Sequence, residues 1–240
     1  EQLRFVLTEG SQYLFPDSAA AMHGAEERIF SWPIWRHRDL SWYRNVPPEM
    51  LGLYMLDARE PWFGYYQHDR DFGLVHYADL ADLPGRKHWT WGTDPAQVAM
   101  RRITHHSSGE VFGEIQSGRI VIQEHRDVLP PESEAQWTEL WYPVRGIGAY
   151  NGAGPGAAIR AELLAGPRGT QQLKVVLMAN GDWPQATLTV TSDGAAPVQR
   201  QVALNPRQAV ECLLSLPGEA GPHRHTTVTV RSSAGEVLAV

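Results

Sequence analysis

Helical periodicity is almost missing from this sequence, and that lack narrows the fold more than any motif does. No segment longer than about twelve residues repeats apolar positions at the i, i+3, i+4, i+7 spacing that lets a helix bury one face. The best exception is Pro95–Arg102, with Asp94 placed to cap its first turn and Pro95 suited to the first helical position. Strand-like runs are frequent instead: Leu3–Thr8, Met50–Leu56, Gly73–Tyr77, Val111–Gln116, Arg119–Gln123 and Trp137–Pro143. The expected fold class is all-β.

Composition supports a packed protein of short elements. Hydrophobic residues make up 42% of the 240 positions, enough for a core, and 22 Gly with 17 Pro favour many turns. The 21 Lys and Arg against 27 Asp and Glu leave a net charge of −6. That balance argues against a nucleic-acid partner, since binding a phosphate backbone draws on a basic face. No stretch approaches the ~18 apolar residues of a membrane helix, so no membrane partner is expected. The single cysteine, Cys212, permits no internal disulfide and sits in an apolar run, where it reads as a buried thiol. Residue 1 is Glu, and no basic region followed by an apolar one comes after it. The sequence therefore assigns the chain to neither cytoplasm nor periplasm.

A glycine-dense segment, Gly146–Gly169, separates two unlike halves. Eight of the nine Trp lie between Trp32 and Trp141. After the segment come short alternating runs at Leu173–Met178, Ala186–Thr191, Val198–Leu204, Ala209–Leu216, Thr226–Arg231 and Val237–Val240. Turn signals such as Asn180-Gly181, Asp193-Gly194 and Ala234-Gly235 lie between them, as in a small β-sandwich. We expect a first domain over 1–154 and a second over 155–240.

Three clusters in the first half could carry chemistry. Ser31–Trp35 and Asp39–Tyr43 bring three Trp close together; partly exposed indoles offer flat apolar faces on which pyranose rings stack, while carboxylates bind hydroxyls. The alternative is that these aromatics only close a barrel or sandwich. The run Trp62–His76 places His68, Asp69 and Asp71 where a strand breaks into a turn, followed by His76. Histidine performs acid and base work near neutrality, and strand-end loops often hold such groups. In the third cluster, Trp89 and Trp91 share a face at a spacing of two. Nearby, Glu114, Gln116 and, past a Ser-Gly turn, Arg119 can project to one side. A Glu114–Arg119 salt bridge is the bland alternative. Trp137 and Trp141 should share a face and pack the core, and Glu139 shares their parity as a weaker site candidate.

Other features point nowhere. His105, His106 and His125 lack a carboxylate or Cys at ligand spacing, and His223 with His225 lies in a turn, so no metal site is expected. No nucleophile elbow or phosphate loop is present, and the glycines of Gly146–Gly152 lack a strand-turn-helix setting, so no cofactor is expected.

At the three clusters the sequence resembles a bacterial domain of unknown function that precedes tetratricopeptide repeats and has a galactose-mutarotase-like fold. The matching stretches are Ser31–Trp35 with Asp39–Tyr43, Trp62–His76, Pro84–Gly92, Gly113–Arg119 and Trp137–Val144, together covering roughly residues 1–150 in the family's order. The resemblance implies a partial β-supersandwich, begun partway into the domain, followed by an Ig-like sandwich and, in a longer chain, by tetratricopeptide repeats as partners. It also implies a carbohydrate ligand, because mutarotase-like enzymes use a His and a Glu on the anomeric centre, here His68 and Glu114.

Three functions follow. In a carbohydrate-active enzyme of glycoside hydrolase or epimerase type, Glu114 acts as base or nucleophile and His68 or Asp69 as acid. Trp42, Trp89 and Trp91 then form the sugar platform, and Asp39, Asp71, His76, Gln116, Arg119 and Glu139 bind substrate. A glycan-binding module needs the platform without the acid–base pair. A structural or interaction domain needs neither.

Overall fold

The computed structural model describes residues 3–7, 12–14, 29–104, 113–167, 170–216 and 225–240. The chain divides into two compact units, residues 1–65 with 78–139 and residues 66–77 with 140–240. Antiparallel strands dominate both, in keeping with the all-β class read from the sequence.

The first unit is built on a five-stranded sheet in the order β10-β9-β6-β2-β3. Its strands are β2 (Gln12–Leu14), β3 (Ile29–Ser31), β6 (Met50–Met55), β9 (Gly85–Trp91) and β10 (Gly113–Gly118). Alternation along β9 decides the two faces. Arg86, His88 and Thr90 are fully buried, whereas Lys87, Trp89 and Trp91 are half-buried. The buried face joins Tyr13, Leu51, Leu53 and Met55 in a core with Phe5 of β1 (Leu3–Val6) and Phe63 of β7 (Trp62–Gln67). Trp32 and Trp35 lie in the same core. Each fully buried large side chain of this kind is worth roughly 1.5–3 kcal/mol of transfer energy.

The expected helix forms as α1 (Pro95–Thr104). Asp94 Oδ1 accepts from the amides of Ala96 (2.9 Å) and Gln97 (3.1 Å), relieving two of the donors that a helix start leaves unpaired. On its inner side Arg101 is buried and donates to the carbonyls of Gly92 (2.6 Å) and Trp91, tying the helix to the end of β9.

The second unit contains two four-stranded sheets. One has the order β12-β13-β14-β17, from β12 (Gly152–Ala153), β13 (Ala157–Ala165), β14 (Gln171–Ala179) and β17 (Val210–Leu216). The other has the order β16-β15-β18-β19, from β15 (Trp183–Ser192), β16 (Val198–Leu204), β18 (Thr226–Arg231) and β19 (Val237–Ala239). Alternate residues of both sheets, among them Val175, Leu177, Leu188, Val190, Val230 and Cys212, form one apolar core. Most of β8 (Phe72–Ala78) and β11 (Glu139–Val144) also belong to this unit and are neighbouring strands.

The glycine-dense segment contains β13, which pairs with β14 from Ala157↔Ala179 to Ala165↔Gln171. Its glycines answer close backbone approach: a Cβ on Gly154 would lie 2.4 Å from the Leu238 carbonyl oxygen, and one on Gly152 would lie 2.7 Å from that of Val240. Two expectations are corrected. Arg119–Gln123 is no strand. After Gly118 the chain bends, so that a Cβ on Gly85 would meet Ile120 O at 2.3 Å. Finally, Trp137 and Trp141 do not pack the core; they are 44% and 42% exposed, and Trp137 precedes β11. Thr8, Val111, Phe112, His105, His106 and His223 lie outside the described residues.

Candidate functional site

The half-buried face of the five-stranded sheet gathers most of the third cluster. In register, Gly52 of β6 lies opposite Trp89 of β9, which lies opposite Glu114 of β10. One step along, Tyr54, Lys87 and Gln116 align in the same way. Directly opposed residues share a face, so these side chains and Trp91 stand together. Trp91 Nε1–H donates to Glu114 Oε1 at 2.7 Å, and Gln116 Nε2–H donates to Glu114 Oε2 at 3.2 Å. Both carboxylate oxygens are therefore oriented by a donor, with further lone pairs for other donors. The six-membered ring of Trp89 lies flat over Gly52: a Cβ there would come within 2.7–2.8 Å of three ring carbons. Tyr54 meets the Trp89 ring edge-on at 6.4 Å.

Lys87 was not singled out from the sequence. Its ammonium sits 5.9 Å from the Tyr54 ring centroid, and burial lowers its pKa. The signal was available, because Lys87, Trp89 and Trp91 follow one another at a spacing of two. Arg119 stands apart from Glu114's hydrogen bonds. It pairs with Asp127 at 2.7 Å and faces the Trp137 ring at 6.0 Å, so this ion pair differs from the alternative of a bridge to Glu114. Glu139 is exposed at the first position of β11.

In the Asp39–Tyr43 stretch, Asp39 Oδ1 accepts from the amide (2.9 Å) and hydroxyl (2.5 Å) of Ser41, an Asx turn that fixes the local chain. Trp42 is half-buried, with the guanidinium groups of Arg4 at 5.4 Å and Arg44 at 4.6 Å from its ring centroid.

The second cluster belongs to the second unit. Asp71, at φ 49°, accepts the Tyr66 hydroxyl and the Gly146 amide, the latter at 3.1 Å to each oxygen. Burial above all, with the Asp71 hydrogen bond behind it, pushes the Tyr66 phenol up to about 12. His68 is half-buried with its ring edge-on to Tyr66 at 5.2 Å, and Asp69 is exposed in the turn. His76 is fully buried, and its ring meets Trp141 at 4.5 Å.

Back in the first unit, one buried histidine lies outside all three clusters. His88 packs against the rings of Phe5 (4.5 Å), Trp32 (5.0 Å) and Tyr13 (5.4 Å). Neither ring nitrogen has a hydrogen-bond partner among the described residues, and burial drives its pKa down to about 3. It is a neutral core residue. Among the described residues no group of three His, Cys, Asp or Glu is placed to hold a metal ion, and no helix is long and apolar enough to cross a membrane.

The family described as a domain of unknown function (DUF5107) matches residues 3–144, more than half of the chain, and the chain belongs to that family. No solved structure matches it.

Proposed function

We propose that this family member binds carbohydrate on the half-buried face of its five-stranded sheet, with Trp89 and Trp91 as the stacking platform. The observation that carries the reading is the Trp91–Glu114–Gln116 network beside the flat Trp89 ring. A carboxylate held by two donors has both its oxygens fixed in place to accept sugar hydroxyls. An indole resting on glycine backbone is held rigid, so little of its freedom is lost when a ring stacks on it. Lys87 and Gln116 supply donors at the edge of the same surface.

The resemblance to galactose-mutarotase-like domains supports a sugar ligand, though a shared fold alone assigns no reaction. On that resemblance residues 1–154 belong to a supersandwich and 155–240 to an Ig-like sandwich, in a protein that works beside tetratricopeptide repeats. Binding is the better reading of Glu114, because donors already occupy positions around both of its oxygens.

Intrinsic tryptophan fluorescence, titrated with neutral gluco-, galacto- and manno-configured oligosaccharides, tests the reading. A saturable response that weakens roughly tenfold in Trp89→Ala is expected. A flat response across the panel, or an unchanged response in Trp89→Ala, overturns it. Anomerisation or hydrolysis of a bound sugar that vanishes in Glu114→Gln would replace binding by turnover, with Glu114 as base.

A further inference from the structure

An edge strand presents a row of unpaired N–H and C=O groups on which another strand can settle, and natural sheets blunt such edges by shortness, bulges or inward-pointing charge. Short pieces are common in this chain: the hairpin of β4 (Ile34–Trp35) and β5 (Arg38–Asp39) has two residues in each strand. The two sandwich sheets of the second unit have four edges, and three of them are blunted. Strand β12 has two residues. Strand β19 has three, and its pairing with β18 slips in register between Val230 and Arg231. Strand β16 is longer, but its pairing with β15 shifts between Trp183 and Ala186. It also sets Arg200 opposite the core residue Leu188, which puts a charge at a core-facing position.

The fourth edge has none of these devices. Strand β17 pairs with β14 in unbroken register from Val210↔Leu177 to Leu216↔Gln171, and among the described residues no strand pairs with its other side. It contains neither Pro nor Gly, and its core-facing residues Cys212, Leu214 and Leu216 are uncharged. Outward it presents Glu211, Leu213 and Ser215, all exposed. Lys174 of β14 engages the Glu211 carboxylate at 2.9 Å, so that charge is tied back to its own sheet. Leu213, at the centre of the strand, is 50% exposed.

We propose that β17 is a dimerisation edge, on which the same strand of a second copy of this chain pairs antiparallel about a two-fold axis through Leu213. The strand's own pattern selects this occupant. In an isologous contact each residue meets the one equally far beyond the axis. Leu213 then meets Leu213, Glu211 meets Ser215, Cys212 meets Leu214 and Val210 meets Leu216. The acidic group of the strand never faces its own copy, and the two exposed leucines cover each other. The backbone ladder supplies most of the adhesion, as in other strand additions. One strand edge is a narrow contact, so the dimer belongs to the small, reversible class of interfaces. It lies in the second unit and uses none of the residues of the carbohydrate reading.

Sedimentation equilibrium of the chain, from micromolar to near-millimolar concentration, tests the proposal, together with amide hydrogen exchange at both ends of that range. A reversible monomer–dimer equilibrium is expected, with exchange in residues 210–216 slowed in the concentrated sample. Leu213→Lys sets two ammonium groups against each other and should weaken association roughly tenfold. Two gentler changes at an exposed position read the register. Ser215→Lys brings a cation opposite Glu211 twice per dimer and should tighten association several-fold, less so at high salt. Ser215→Glu should weaken it by a similar factor. A chain that stays monomeric throughout overturns the proposal, as does a dimer left intact by Leu213→Lys in a protein with an unaltered melting curve. Equal responses to the two Ser215 substitutions overturn it too. So does protection of residues 210–216 that is the same in dilute and concentrated protein, which would mark an occupant from within the same chain.

Discussion

Trp91 and Glu114 meet diagonally across two neighbouring strands, the indole N–H of one donating to Oε1 of the other at 2.7 Å. Hydrogen bonds to charged groups are stronger than neutral ones, and this one is half-shielded from water. Trp91→Phe keeps an aromatic ring and removes the donor. It should lower stability by about 1 kcal/mol in urea denaturation. It should also reduce affinity for whichever neutral oligosaccharide binds the wild type. Glu114→Gln keeps an acceptor for the indole and should cost less stability while losing comparable affinity. A Trp91→Phe protein with unchanged affinity would remove this pair from the ligand site.

Gly52 explains how Trp89 comes to lie flat. A methyl group there would sit 2.7 Å from the ring carbons, inside van der Waals contact, and must push the indole away. Gly52→Ala is therefore an overpacking change, although its chemistry looks slight. It should destabilise the protein by about 1–3 kcal/mol and shift the tryptophan emission as the ring moves. The denaturation midpoint and the emission maximum check both parts, and an unshifted spectrum would contradict the close contact.

Strand alternation was the most legible part of the sequence. It located β8, β14, β16 and β18 to within two residues at each end, because half-buried sheets impose a period of two. Asp94 and Pro95 likewise marked the helix start. Legibility failed in the glycine-dense Gly146–Gly169 segment, which in sequence marks only the join of two halves. Gly152 and Gly154 hold a strand region against the C-terminal strand, a long-range requirement that no local pattern announces. It failed again at Trp32 and Trp42, which look alike in sequence: one is buried in the core and the other stands between two arginines. Side-chain parity grouped Trp89 with Trp91 and Glu114 with Gln116. Pairing the two strands needed the register, which no short turn sets because α1 lies between them in the chain.

Asp71 offers a separate check within the second unit. Its carboxylate accepts from the Tyr66 hydroxyl and the Gly146 amide, and its φ of 49° is a region that Asn and Asp tolerate better than most residues. Asp71→Ala removes the acceptor and places an unsuitable residue at that φ, so a loss of about 1–2 kcal/mol is expected. Asp71→Asn keeps an oxygen and the backbone preference, and should lose less. The order of the two melting temperatures checks this, and equal losses would mean that the carboxylate charge dominates.

His88 makes acid stability a test of the first unit's core. In the unfolded chain its imidazole titrates near ~6.5. In the folded protein burial among Phe5, Tyr13 and Trp32 moves that pKa down to about 3. Above ~6.5 both states are neutral at this position, and His88 contributes no pH dependence. Between ~6.5 and 3 the unfolded state binds a proton that the folded state refuses. Stability should therefore fall with pH over that window, by up to about 1.4 kcal/mol per pH unit, and level off once the folded-state value is passed. His88→Phe retains an aromatic ring of similar bulk and removes the titration. Urea midpoints measured from neutrality down to about pH 5, where His is the main side chain still to gain its proton, should decline in the wild type and flatten in the variant. Parallel curves for the two proteins would place the acid sensitivity elsewhere in the chain.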